Sequence, residues 1–190
     1  MDLDIHPKGY EMRKYKIDPE LTSYYFCTST IVEWQCVFKE EKYFSIITNS
    51  LNYCRKHKGL YLLGYVIMLN HIHLVVSTDE GILLSNIMRD FKRHTSKLIA
   101  EQLEKDQEKL LLYVFKKAAI KQRSKYKILQ DEYHPIALFS EEWFNQKLDY
   151  MHFNPVRKDF VSKPEDWKYS SARNWYQNDH SVITLDLEVL

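Results

Sequence analysis

An excess of charge of one sign is missing from this chain, in which 27 Lys and Arg stand against 26 Asp and Glu for a formal net charge of +1. That balance excludes the strongly basic domain whose overall field attracts polyanions, so any anionic partner must be met by local patches. Long apolar runs are missing too, since none approaches the ~20 residues that a membrane span needs. The first sixteen residues carry no apolar signal core, and the expectation is a cytoplasmic protein with no membrane partner. Cysteine is scarce. Cys27, Cys36 and Cys54 are odd in number and form no C-x-x-C pair, which excludes a disulfide framework and a thiolate zinc site. With only four Gly and five Pro there is no low-complexity tract.

What is present is the composition of a packed globular protein, 45% hydrophobic and 28% charged over 190 residues, enough for one domain with a proper core. The expected division is a lead over 1–20, the domain over 21–160 and a tail over 161–190. Residues 23–34 are aromatic and β-branched and read as a first strand. Residues 39–57 follow helical spacing, with Gly59 placed to stop the helix. Residues 60–78 read as two strands joined at Leu69-Asn70, and a longer helix follows over about 83–103. Strand, helix, strand, strand, helix begins the ferredoxin-like pattern, so the fold class expected is α+β, an antiparallel sheet with helices packed on one face. Residues 104–123 extend the helix or form a loop. Residues 125–129 and 136–139 read as short strands, and 182–190 as a last strand-like piece. Ser140 caps a helix that Pro155 ends, with Glu141 and Glu142 suiting its positive N-terminal end.

His71 and His73 are one residue apart in the second strand of the pair, so both imidazoles point to one face while Ile72 and Leu74 point to the other. Two imidazoles are half a metal site. Downstream, Tyr150 and Asn154 are four apart on the Ser140 helix, on the order of 6 Å between Cβ atoms, and can serve one site. Two imidazoles and an amide oxygen form a mixed set with open positions that suits Mg²⁺ or Mn²⁺ and admits Zn²⁺. A cation there polarises a phosphate for attack by a phenol, which makes Tyr150 a candidate nucleophile. A phenol needs a neighbouring cation or base to attack, and Lys147, His152 and the metal are the candidates. Two basic patches stand out as well. Arg89, Arg93 and Lys97 make a stripe along one helix, and Lys116, Lys117, Lys121, Arg123, Lys125 and Lys127 occur with no acid among them.

Three segments in this order, V-I-M-x-N-H-I-H-L over 66–74, D-Y-x-x-x-N-P-V over 149–156 and D-W-x-Y-S-S over 166–171, resemble the REP-associated tyrosine transposases. These are IS200-like, single-tyrosine members of the HUH endonuclease superfamily. The resemblance runs from about Tyr24 to Tyr176. It implies His71, His73 and Asn154 as ligands of a divalent metal, Mg²⁺ or Mn²⁺, and Tyr150 as the nucleophile that forms a 5′-phosphotyrosine with single-stranded DNA. It also implies the ferredoxin-like fold and a palindromic-repeat hairpin as DNA partner, and leaves monomer and homodimer both open. Leu129-Gln130 stands where the family commonly has Trp-Gln, and 101–125 is longer than expected. On this reading both basic patches face DNA, with Tyr126 or Tyr133 for base stacking. The competing reading is a catalytically silent module of the same fold that binds hairpin DNA or RNA. Hydrolases with an H-x-H-x-H signature are excluded, because position 75 is Val.

Overall fold

A computed structural model describes residues 24–120, 124–131 and 134–190. Strand β1, Tyr24–Thr30, leads into helix α1, Glu41–His57, and then into the hairpin of β2, Leu60–Ile67, and β3, His71–Thr78. Helices α2, Leu84–Lys105, and α3, Lys109–Ala118, precede β4, Ile136–Leu138. Helix α4, Glu141–His152, is followed by the short turns α5, Asn154–Arg157, and α6, Ala172–Gln177. The four strands form one antiparallel sheet in the order β2-β3-β1-β4, the expected α+β, ferredoxin-like class, but with helices on both faces of the sheet rather than on one. Among the described residues no helix is long and apolar enough to cross a membrane.

Ladder register decides what shares a face. Thr28 pairs with His73, Thr30 with His71, Gly64 with Val75 and Val66 with His73, so all of these project to one side. Helix α4 lies on that side. Phe144, Leu148 and Met151, all fully buried, are its sheet-facing stripe. Gly64 is where α4 comes nearest to the sheet, since a Cβ there would lie 2.6 Å from Leu148 Cδ1 and 2.7 Å from Met151 Cε. Helices α1 and α2 pack on each other, and the opposite side of the sheet, with Ile72, Leu74 and Val76, is buried under them. Gly59 adopts φ +66° just past the end of α1, the left-handed C-terminal stop that its position suggested.

Several local expectations change. The first strand is shorter than 23–34, because the chain leaves the ladder at Thr30 and makes a single 3₁₀ turn over Val32–Trp34. Of residues 104–123, of which 121–123 lie outside the described residues, only Glu104 and Lys105 prolong α2. The helix stops at Asp106, Gln107 takes φ 59°, and the apolar LLLYVF begins a separate α3. Residues 125–129 form no strand but meet the end of β1, with Leu129 bridging Ile31 and the Val32 N–H donating to the Ile128 carbonyl at 2.8 Å.

The outer edge of β2 is covered by residues of the tail, which removes an open row of backbone groups. The Ser171 N–H donates to the Tyr65 carbonyl at 2.8 Å, the Ile67 N–H to Tyr169 at 2.9 Å, and the indole N–H groups of Trp167 and Trp175 to Ile67 and Leu63. Residues 182–190 do not join as a strand. Ile183 and Leu185 are buried as alternation suggests, but the Leu62 N–H is taken by the Asp186 carboxylate, which also pairs with Arg55 of α1.

Candidate active site

His71 and His73 stand on the face of β3 that α4 crosses, their ring centroids 4.8 Å apart. Each has its Nδ1 engaged. Asn70 Oδ1 lies 2.7 Å from Nδ1 of His71, and Thr28 Oγ1 lies 2.8 Å from Nδ1 of His73. An Nδ1–H that donates to a neighbouring oxygen fixes the tautomer and leaves the Nε2 lone pair for a cation. Burial holds both rings neutral. It lowers His73 to about 3 and His71 to about 4, with the positive charges of Arg157 and Lys147 adding to the effect on His73 and that of Lys158 on His71. Two neutral, oriented imidazoles on one face fit a divalent cation.

Tyr150 comes to this pair from α4. Its ring is edge-on to His73 at 5.7 Å and to Phe26 at 6.2 Å, while Phe26 stacks on His73 at 5.1 Å. Tyr150 thus packs against side chains of β1 and β3 and is 45% exposed. Two cations flank the phenol. Lys147 Nζ is 5.8 Å and the Arg157 guanidinium 4.7 Å from the ring centroid. Arg157 is also tied to Tyr150 by a hydrogen bond to its carbonyl. Seven residues along a helical path is two turns, so Arg157 returns over Tyr150 although Pro155 lies between them.

Asn154 lies just past the end of α4. The helix ends at His152, because Pro155 has no N–H to offer the Met151 carbonyl, and Asn154 opens α5 with its side chain buried. Among the described residues no three His, Cys, Asp or Glu side chains gather as a metal cluster.

His152 is no helper of the phenol. It points inward, completely buried, and its Nε2 lies 2.8 Å from Ser171 Oγ. Ser171 Oγ also accepts the Tyr65 N–H at 2.8 Å and lies 3.1 Å from the Tyr65 carbonyl. This bond ties the end of α4 to β2. Burial alone lowers His152 to about 3, so it is neutral.

The basic stripe and part of the second patch come together at a different place. Arg89, Arg93 and Lys97 of α2 face Lys125, Tyr126 and Lys127 across a groove of about 620 Å³, floored by Met88, Ala100, Ile128 and Leu129. Acids are interleaved: Lys125 pairs with Glu104 at 2.6 Å, Lys127 with Asp131 at 2.5 Å, and Asp90 lies 3.3 Å from Arg89 and 3.5 Å from Arg93. Lys116 and Lys117, at the exposed end of α3, do not line the groove. Lys121, Arg123 and Tyr133 lie outside the described residues.

Sequence reasoning passed over Thr28, Asn70, Phe26, Arg157 and Trp34. Asn70 adjoins His71, and the seven-residue spacing of Arg157 was readable along a helix. Thr28 and Phe26 reach the site only through the β1–β3 ladder, and Trp34 only through the turn that follows β1, which no local pattern reports.

A family model described as Transposase IS200 like matches residues 24–118, from β1 to the end of α3. Tyr150 and Asn154 lie beyond the matched span. In three dimensions the chain is similar to a REP-associated tyrosine transposase solved bound to a REP hairpin, with 18% identity, 88% of each chain covered and a TM-score of 0.59. No curated protein matches.

Proposed function

The chain belongs to the family of IS200-like transposases, and on that premise we propose that it is a metal-dependent nuclease and strand transferase of single-stranded DNA, with Tyr150 as its nucleophile. The observation that carries this reading is the packing of Tyr150 edge-on to His73, on the same face as His71 and between two cations. A hairpin is the proposed form of the DNA, supported by the hairpin held in the structurally similar transposase.

In this reading His71, His73 and Asn154 hold a Mg²⁺ or Mn²⁺ ion, which when bound polarises the scissile phosphate and offsets charge on its oxygens. The chain's own groups do the rest. Asn70 and Thr28 hold the two imidazoles with Nε2 outward. Phe26 fixes the plane of the phenol, and Arg157 and Lys147 offset the negative charge that develops as Tyr150 Oη loses its proton to solvent. Tyr150 Oη bonds to phosphorus, the bond to the 3′-oxygen breaks, and the 3′-hydroxyl leaves with a solvent proton. The DNA keeps a 5′-phosphotyrosine link that a second 3′-hydroxyl can resolve by the reverse step. The groove between α2 and 124–131 is the proposed seat of the hairpin backbone, with Arg89, Arg93, Lys97, Lys125 and Lys127 as phosphate contacts. Lys116, Lys117, Lys121 and Arg123 are proposed as further phosphate contacts on their charge alone.

The test is incubation of the protein with labelled hairpins from its own genomic surroundings, with Mn²⁺ or with chelator, followed by denaturing electrophoresis. A metal-dependent adduct that disappears in Tyr150→Phe is the expected result. Hairpin binding without any adduct would replace this reading with the silent binding module.

A further inference from the structure

Glu33 and Trp34 both sit in the left-handed region at φ 53°, two consecutive residues with side chains in a conformation that favours glycine. Burial does not offset that strain, because both side chains are exposed and Trp34 leaves 60% of its surface in water. Backbone strain not balanced by burial marks a residue held in place for something it will meet.

The surroundings of Trp34 indicate what that is. Its indole ring lies 6.1 Å from the ring of His71, in an edge arrangement. Its carbonyl accepts a hydrogen bond from Asn70 Nδ2 at 3.1 Å, and the other atom of that amide, Oδ1, meets Nδ1 of His71. One asparagine therefore sets both the orientation of the imidazole and the position of the tryptophan backbone. The segment is anchored on its other side too, since Val32 N–H donates to Ile128 at 2.8 Å and Gln130 N–H to Thr30 at 2.9 Å. Ile128 and Gln130 line the basic groove. Trp34 thus stands on a strip of chain that joins the groove wall to the two histidines.

We propose that Trp34 is a stacking platform for one unpaired nucleobase of the strand whose phosphate lies at His71 and His73. The inference rests on the nuclease reading given above. An exposed indole offers a flat face to any base, so the contact serves single-stranded DNA next to a hairpin and has no use for a paired stem. The rigid neighbourhood matters here, because a platform that is already ordered loses little freedom when a base settles on it.

The experiment compares wild type, Trp34→Ala and Trp34→Gly for binding of a hairpin with single-stranded flanks and of the same hairpin trimmed to its stem, alongside adduct formation on the flanked form. Both variants are expected to bind the flanked hairpin roughly 5- to 100-fold more weakly and the trimmed one equally well. Trp34→Gly relieves the left-handed strain and is expected to melt no lower than wild type, which separates lost stacking from lost folding. Tryptophan fluorescence quenching by the flanked hairpin should shrink in both variants. If wild type forms the adduct and the variants bind flanked DNA as tightly as it does, the stacking role is overturned and the nuclease reading stands. Flank-dependent binding lost in the variants with no adduct in wild type would keep the platform and overturn cleavage. Equal binding of flanked and trimmed DNA by all three proteins, with no adduct, would overturn both.

Discussion

Thr28 and His73 face each other across the β1–β3 ladder, and the threonine hydroxyl meets the imidazole Nδ1 at 2.8 Å. A metal-binding imidazole is commonly oriented by such a partner on its other nitrogen, and losing the partner typically weakens the metal 10- to 100-fold. Thr28→Val keeps the shape and removes the oxygen. Mn²⁺ titration of adduct formation should then shift to higher metal by a factor in that range, with hairpin binding in chelator unchanged. An unshifted titration would deny His73 its role as a ligand.

Tyr150→Phe removes one oxygen from a ring that packs against His73 and Phe26. The adduct should vanish while the melting temperature and hairpin affinity stay close to wild type, since the buried stripe of α4 lies on its other side. An adduct that survives would move the nucleophile to another tyrosine, Tyr133 first.

Gly64 carries a prediction about geometry. An added methyl would press on Leu148 and Met151, the two side chains that seat α4 on the sheet. Overpacking of this kind typically costs about 1–3 kcal/mol. Gly64→Ala should lower the rate of adduct formation more than it lowers hairpin affinity, because the tyrosine moves relative to the histidines while the basic groove lies elsewhere. Equal losses in the two assays would mean that α4 does not set the position of the nucleophile.

Acid should destabilise the fold well before carboxylates protonate. In the folded protein His71 titrates at about 4 and His73 and His152 at about 3, all below the ordinary 6.5. Below 6.5 the unfolded chain takes up protons that the folded one refuses, so stability falls as pH drops toward those folded values and is fully present above 6.5. Urea midpoints measured in chelator should decline from about pH 7 to about pH 5, and His152→Gln should flatten the decline. A flat wild-type profile would be incompatible with three buried neutral imidazoles.

Salt dependence tests the groove. Replacing both Arg93 and Lys97, which are 79% and 74% exposed, with Ala should reduce the slope of log affinity against log salt by between about 1 and 2. The same double change should leave adduct formation at saturating DNA untouched. An unaltered slope would place the phosphates somewhere else.

Short-range pattern carried much of this protein. Alternation at His71-Ile72-His73 placed both imidazoles on one face, the apolar spacing of Phe44, Ile47, Leu51 and Cys54 gave α1, and Ser140 capped α4, accepting the Trp143 N–H at 3.2 Å. These features depend only on the repeat of a strand or helix and on chemistry within a few residues, so the chain states them directly. The same logic misread 125–129 and 182–190, where apolar spacing was strand-like but the backbone hydrogen bonds went to the end of β1 and to Asp186.

Which distant residues meet was decided by tertiary structure alone. Register between β1 and β3 brought Thr28 to His73, the turn after β1 brought Trp34 to His71, and the packing of α2 beside 124–131 joined one basic stripe and part of the second patch in one groove. The break between α4 and α5 at Phe153 sets Asn154 at the start of a separate turn with its side chain buried. Periodicity tells a residue which face it occupies but holds no information on which partner lies across the ladder or beneath the helix. That choice comes from packing the whole core at once, and it is what assembled a candidate active site from residues that are ordinary one by one.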